Sequence, residues 1–408
     1  MNEPMNRRRL LKLGSAALLY AGFSGRLFAA PGSGARLLLV FLRGGYDATN
    51  FLIPYSSSFY YEARPNIAIA KPDPASNTSA LALDGDWALA PAVRESIGSM
   101  YLQRQVAFVP FTGTEDLSRS HFETQDSIEL GQPITGPRDY RSGFLGRLSE
   151  TLTGPSGANS SIAFTDALPL AFEGAATVPN LSLKNVGKPP FDERQARILS
   201  DMYAGHHLAP AVSNGLELRH EVAQEMAQEM AEEMSAASRN AINTKGFELE
   251  AERMARLMRD KYRIGFIDIG GWDTHVGEGA AQGALASNLN SLGKGLQVFA
   301  SSLGAEWNNT VVVVLSEFGR TFRENGNRGT DHGHGTVYWV LGGSISGGTI
   351  VGEQRRLVQG ALFQDRDYPV LNDYRSVLGG LFRSLWGLSP GQSSRIFAQT
   401  SLLDLKLV

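Results

Sequence analysis

The chain has 408 residues, with 38 basic and 41 acidic side chains, seven histidines and no cysteine. That length suits one large α/β unit or two average domains, with an ample core, and the near-balanced charge offers no basic footprint for nucleic acid. The lack of cysteine excludes disulfides and thiolate ligands, so any bound ion must use Asp, Glu, His, hydroxyl, backbone or water, which favours Zn, Mn, Mg or Ca.

The first 30 residues read as an export signal. Arg7, Arg8 and Arg9, followed by Leu10, Leu11 and Lys12, form a twin-arginine start. Leu13 to Phe23 is a short apolar core, and Ala29 or Ala30 marks a small-residue cleavage point. The apolar run falls short of the about 20 residues a spanning helix needs. The expectation is a chain handed to the twin-arginine export machinery and released to the periplasm or beyond, with no stable membrane span after cleavage. From residue 31 to Val408 it carries 33 basic and 40 acidic residues.

Short apolar runs predict buried strands at 36–42, 105–109, 264–269, 310–315 and 336–341. They are continuous rather than alternating, as in strands covered on both faces. A helix over 285–303 falls between two of them, the βαβ rhythm, and a second helix is expected over 374–386. The fold class is therefore α/β, a mostly parallel sheet with helices on both faces. Residues 151–195 are rich in Gly, Ser, Pro and Asn, and Glu217 to about Ser238 reads as a helix with Met226, Met230 and Met234 on one face. Residues 151–260 are taken as a helical elaboration within a single domain, 31–408.

Ligands of open α/β sheets bind beyond the carboxyl ends of the strands, and the side chains there are chemically rich. Arg43-Gly44-Gly45-Tyr46-Asp47 follows the first strand, and Ser118-Arg119-Ser120-His121-Phe122-Glu123 follows the second. A serine at a helix start is a candidate nucleophile, with helix N–H groups available to an oxyanion. Ser120 is the first choice and Ser118 the alternative. Asp273 and His275 follow the 264–269 strand and lie on one side of an extended segment. Glu317 and Arg320 follow the 310–315 strand. Asp331, His332 and His334, spaced by glycines, form the densest ligand group in the chain, and imidazole with carboxylate suits Zn or Mn. His206, His207 and His220 lie away from strand ends and read as surface or packing histidines. Gly387-Leu388-Ser389-Pro390-Gly391 matches a nucleophile-elbow string, but it follows a helix instead of a strand and reads as a turn.

Leu38 to Asp47, Ser120-His121-Phe122, Gly271 to His275, Ser316 to Thr321 and Gly329 to Gly335, in that order, resemble the signature blocks of a bacterial family of unknown function. That family is exported by the twin-arginine route and belongs to the alkaline phosphatase/sulfatase-like superfamily. The resemblance implies one or two divalent metals at strand ends and a hydroxyl or modified residue as nucleophile. By that resemblance Asp47 is the first-strand metal ligand and Ser120 lies in the nucleophile segment. Asp273 and His275 form a metal pair at shortened spacing, and Glu317 stands where active members carry Asp-His. His334 is the terminal metal histidine, with Asp331 and His332 replacing the lost pair.

The resulting expectation is an exported metal-dependent hydrolase of phosphate or sulfate esters. Ser120 attacks, and Arg119, Arg320 or Arg43 clamps the anion. Asp47, Asp273, His275, Glu317, Asp331, His332 and His334 share the metal sites. The alternative is a non-catalytic exported protein that binds a partner or glycan.

Overall fold

The computed structural model describes residues 34–153, 160–174, 177–182, 193–217 and 247–408. The expected signal over 1–30, His220 and the Met226-Met230-Met234 face lie outside the described residues.

The central sheet is built from β1 (Arg36–Leu42), β5 (Val106–Gly113), β6 (Ser161–Ala163), β7 (Ile264–Ile269), β8 (Thr310–Ser316), β9 (Thr336–Gly342), β10 (Thr349–Ile350) and β11 (Asn372–Asp373). Its order is β10-β5-β9-β8-β1-β7-β6, with β11 also on β5. β1 runs parallel to β7 and β8, β6 parallel to β7, and β10 and β11 parallel to β5. Among the described strands of this sheet only β9 runs against its neighbours, β5 and β8. Three short strands, β2 (Leu52–Ile53), β3 (Leu81–Ala82) and β4 (Ala88–Leu89), form a small antiparallel sheet beside it.

The continuous apolar runs have a direct cause. In β1, Leu38, Val40 and Leu42 face one apolar core while Leu37, Leu39 and Phe41 face another. The same alternation divides β8, with Val312 and Val314 on the first side and Val311, Val313 and Leu315 on the second. Both faces of a strand are thus buried, and no position favours a polar residue.

Helices cover each face. On the second face lie α1 (His121–Leu130), α2 (Phe144–Leu152), α5 (Tyr374–Trp386) and α6 (Pro390–Ile396). On the first face lie α3 (Phe247–Asp260), which buries Ala251, Met254, Ala255 and Met258, and α4 (Ala284–Leu303), which buries Leu289, Leu292, Leu296 and Phe299. Asp373 caps α5 by accepting from the Arg375 and Ser376 N–H groups, and Gly387 ends it in the left-handed region at φ 63°. Ser389 then opens α6 with a capping box to Gln392, so the elbow-like string is a helix–turn–helix junction.

The described ends of the 151–260 segment are built into the main body. β6 pairs with β7 at the sheet edge, and α3 packs into the core. A three-residue strand, Ser-Ile-Ala, leaves no periodic signal in a Gly- and Ser-rich stretch. Among the described residues no helix is long and apolar enough to cross a membrane.

Candidate functional site

The direction of β9 assembles the site. The carboxyl ends of β1, β5, β7 and β8 meet at one rim of the sheet. Because β9 runs the other way, the residues just before it, Asp331 to Gly335, reach that same rim. The β1 loop packs tightly on the β7 loop there. Gly44 has φ 124°, and a Cβ on it would come within 2.8 Å of the Asp273 nitrogen.

His121, Asp273 and His332 present ligand atoms within 4.8 Å of one another. His121 Nε2 lies 2.9 Å from His332 Nε2 and 3.6 Å from Asp273 Oδ2. His332 Nε2 lies 3.2 Å from Asp273 Oδ1. His275 joins them, its Nε2 at 3.1 Å from His332 Nε2 and 2.9 Å from Asp273 Oδ1. Donors around one tetrahedral ion at about 2.1 Å sit about 3.4 Å apart, close to these spacings.

Each ring is fixed from behind. His121 Nδ1 meets Glu317 Oε1 at 2.8 Å, His275 Nδ1 meets Asp331 Oδ1 at 3.2 Å, and His332 Nδ1 meets the Arg119 carbonyl at 3.0 Å. Arg119 adopts φ 52°, in the left-handed region that costs a bulky residue strain. Glu317 is fully buried, and also accepts from Gln125 Nε2, Gly44 N and the Ser316 hydroxyl. Its hydrogen bond raises the His121 pKa. Burial lowers that of His332. Asp273 is held below the usual carboxylate range, because Arg320 and the neighbouring imidazoles outweigh its partial burial.

Glu317 and Asp331 thus stand behind the imidazoles, not among the converging atoms. Asp47 is elsewhere, enclosed and paired with Arg64. His334 packs its ring on Phe363, and burial brings its pKa down to about 4. The expected anion clamps are occupied. Arg119 binds Asp367 and Gln364. Arg320 donates to the carbonyls of Gly44, Gly45, Trp272 and Thr330 and pairs with Asp273. Arg43 pairs with Asp268 and Glu129. Ser120 is the half-buried N-cap residue of α1 but makes no side-chain cap bond, whereas the exposed Ser118 hydroxyl lies 3.3 Å from that of Thr124. His206 and His207 are exposed, with ring centroids 4.2 Å apart.

Sequence reasoning named His121 only as a companion of the serine. Its spacing to Gln125, one helical turn on, was the available signal, since i,i+4 side chains share a face and both here reach Glu317 Oε1. Arg64, Glu278 and Asp367 carried no signal.

Residues 34–397 match the protein family of unknown function DUF1501, and the chain belongs to that family. No curated protein matches it. Among solved structures it is similar to a protein in the alkaline phosphatase superfamily from Vibrio parahaemolyticus, at 12% identity and TM-score 0.34, covering 83% of this chain and 69% of that one. It is also similar to Ps i-CgsB in complex with k-i-k-neocarrahexaose, at 10% identity and TM-score 0.37, covering 88% and 74%.

Proposed function

We propose that the chain is a metal-dependent hydrolase of phosphate or sulfate esters, with Ser120 as nucleophile. One observation carries the metal reading. All three imidazoles have Nδ1 against an acceptor, two carboxylates and a carbonyl, so the neutral form of each ring carries its proton on Nδ1 and a lone pair on Nε2. Those lone pairs and the Asp273 carboxylate face one another at 2.9 to 3.6 Å. Arg320 Nη1, 3.4 Å from His275 Nε2, and the Arg320–Asp273 pair relieve one edge of that repulsion, and a divalent cation among the Nε2 atoms would relieve the rest. His121, His332 and Asp273 would hold it, with His275 beside them, and three imidazoles favour Zn or Mn over Mg or Ca.

Such an ion supplies Lewis-acid polarisation of the ester oxygens and stabilises negative charge. The chain does the rest. Glu317, Asp331 and the Arg119 carbonyl orient the imidazoles, and Arg320 fixes the Asp273 carboxylate while its four carbonyl partners hold the loops together. The Ser120 hydroxyl, uncommitted to the helix cap, forms a bond to phosphorus or sulfur as the ester bond breaks. Its proton leaves with the alcohol product, and water then frees the serine and the inorganic anion. Arg7 to Arg9 and the apolar run behind them support placing this activity in the periplasm or outside the cell. The non-catalytic alternative draws on one fact, the prior commitment of Arg43, Arg119 and Arg320.

The test is elemental assay of the exported protein, then a screen of aryl phosphates and sulfates. About one Zn or Mn per chain is expected, with turnover that falls at least about 100-fold in Ser120→Ala. Bound metal with no turnover on any ester supports the binding role. No metal in the exported protein rejects the reading.

A further inference from the structure

Behind the cluster lies a second group of ionisable side chains that no step above uses. Glu278, fully buried, follows the β7 loop. Its Oε2 accepts from the Thr274 and Thr330 hydroxyls, each at 2.8 Å. Thr274 lies between Asp273 and His275, and Thr330 precedes Asp331 and His332. A single carboxyl oxygen therefore ties together the two loops that bring three of the four converging side chains. The Thr330 N–H adds a 3.2 Å bond to the Thr274 carbonyl, and the Glu278 N–H a 3.0 Å bond to the Arg328 carbonyl.

We propose that Glu278 is a positioning residue, whose carboxyl bridges Thr274, Thr330 and Asp47 to hold the two ligand loops in register around the cation. This rests on the cation reading above.

The surroundings decide the form of the bridge. Glu278 Oε1 receives no N–H or O–H donor among the described residues, and its neighbour is the Asp47 carboxylate. Asp47 is already neutralised by Arg64, with both side chains at 0% exposure. Two carboxylates sharing one guanidinium in an enclosed site would leave a net buried charge. A proton on Glu278 Oε1 removes that charge and converts the orphan oxygen into a donor to Asp47. Burial and the Asp47 charge both push the Glu278 carboxyl well above its ordinary range, in the same sense. The bridge is thus neutral, with two accepted bonds at Oε2 and one donated bond at Oε1.

A neutral bridge makes a distinctive prediction, because glutamine reproduces it. The amide oxygen of Glu278→Gln accepts from both threonines and its N–H donates to Asp47, while one amide N–H goes unpaired. Leucine keeps the volume and removes all three bonds. The exported chain and its variants are titrated with Zn²⁺ and Mn²⁺ against a chelating dye, with thermal midpoints of the metal-free proteins measured alongside. Glu278→Gln is expected within about threefold of wild type in Kd, and Glu278→Leu weaker by on the order of 10- to 100-fold. Thr330→Val, which removes one hydroxyl at constant shape, is expected to weaken binding by about threefold or more and keeps the test decisive if Glu278→Leu does not fold. Glu278→Gln as weak as Glu278→Leu would overturn the proposal, as would unchanged affinity in Glu278→Leu or, failing that variant, in Thr330→Val. A wild-type chain that binds neither ion sinks the cation reading itself. Binding that the variants leave untouched sinks only the role of Glu278.

Discussion

Asp47 shows what a single residue can hide. An aspartate five positions beyond a strand on the rim of an α/β sheet is a reasonable metal ligand. Here it is enclosed, and a buried carboxylate must be paired. Arg64 meets that need, bonding Asp47 through two guanidinium nitrogens and also donating to the carbonyls of Thr321 and Phe322. Nothing in the spacing of positions 47 and 64 announces the pairing, because it depends on how β2 and the short helix Ser58–Ala63 between them turn the chain back. Burial pushes the Asp47 carboxyl up, and the charge and hydrogen bonds of Arg64 more than reverse it, leaving it below its ordinary 3.8. Removing one partner of a buried pair strands the other. Arg64→Ala should lose about 3–5 kcal/mol at neutral pH by denaturant unfolding. A group with a depressed folded pKa contributes stability above its unfolded value and loses it as pH falls through the folded one. The gap between wild type and variant should therefore narrow below the ordinary carboxyl value of 3.8. A gap that stays constant down to pH 2 would contradict the pairing as its source.

At the scale of elements, the site is a matter of loops touching backbone to backbone. Glycines surround the Asp331-His332-His334 group, and one use of a residue with no side chain there is room beside an ion. The structure gives another reason for one of them. A Cβ at Gly329 would lie 2.4 Å from the His275 carbonyl carbon and oxygen, so this glycine lets the β8–β9 loop press on the β7 loop. Gly326, in the same loop, has no described residue within 4 Å of a Cβ. Gly329→Ala must force the loops apart at a cost of about 1–3 kcal/mol, displacing His275 from His332. Gly326→Ala should leave both stability and Zn²⁺ affinity unchanged within error. Thermal midpoints and Kd for the pair decide it, and equal behaviour of the two alanines would refute close loop contact as the basis of the site.

Across the whole molecule, the sheet was legible and its order was not. Five strands and the helices α4 and α5 were visible because burial on two faces leaves uninterrupted apolar runs, as in Thr310 to Leu315, and because α4 repeats leucine at helical spacing. Strand order, the reversal of β9 and the edge position of β6 depend on contacts between distant segments that periodicity does not encode. That reversal brings the whole Asp331–Gly335 loop to the rim, and the path of the loop then decides which of its side chains converge. His332 and His334 are two residues apart, yet His332 faces the cluster and His334 faces Phe363. The cluster draws on positions 121, 273, 275 and 332, so an ion there would join segments more than 200 residues apart along the chain. An ion bound only by the folded state adds about 2.7 kcal/mol at a free concentration 100 times its Kd, a rise of several degrees in thermal midpoint for a chain of this size. Chelator-treated protein should show that rise on addition of Zn²⁺. His332→Ala should abolish it by removing the central imidazole, whereas His334→Ala should lower the midpoint with and without Zn²⁺ and leave the rise intact. The opposite pattern, with the rise lost in His334→Ala and kept in His332→Ala, would place the ion on the other side of this loop.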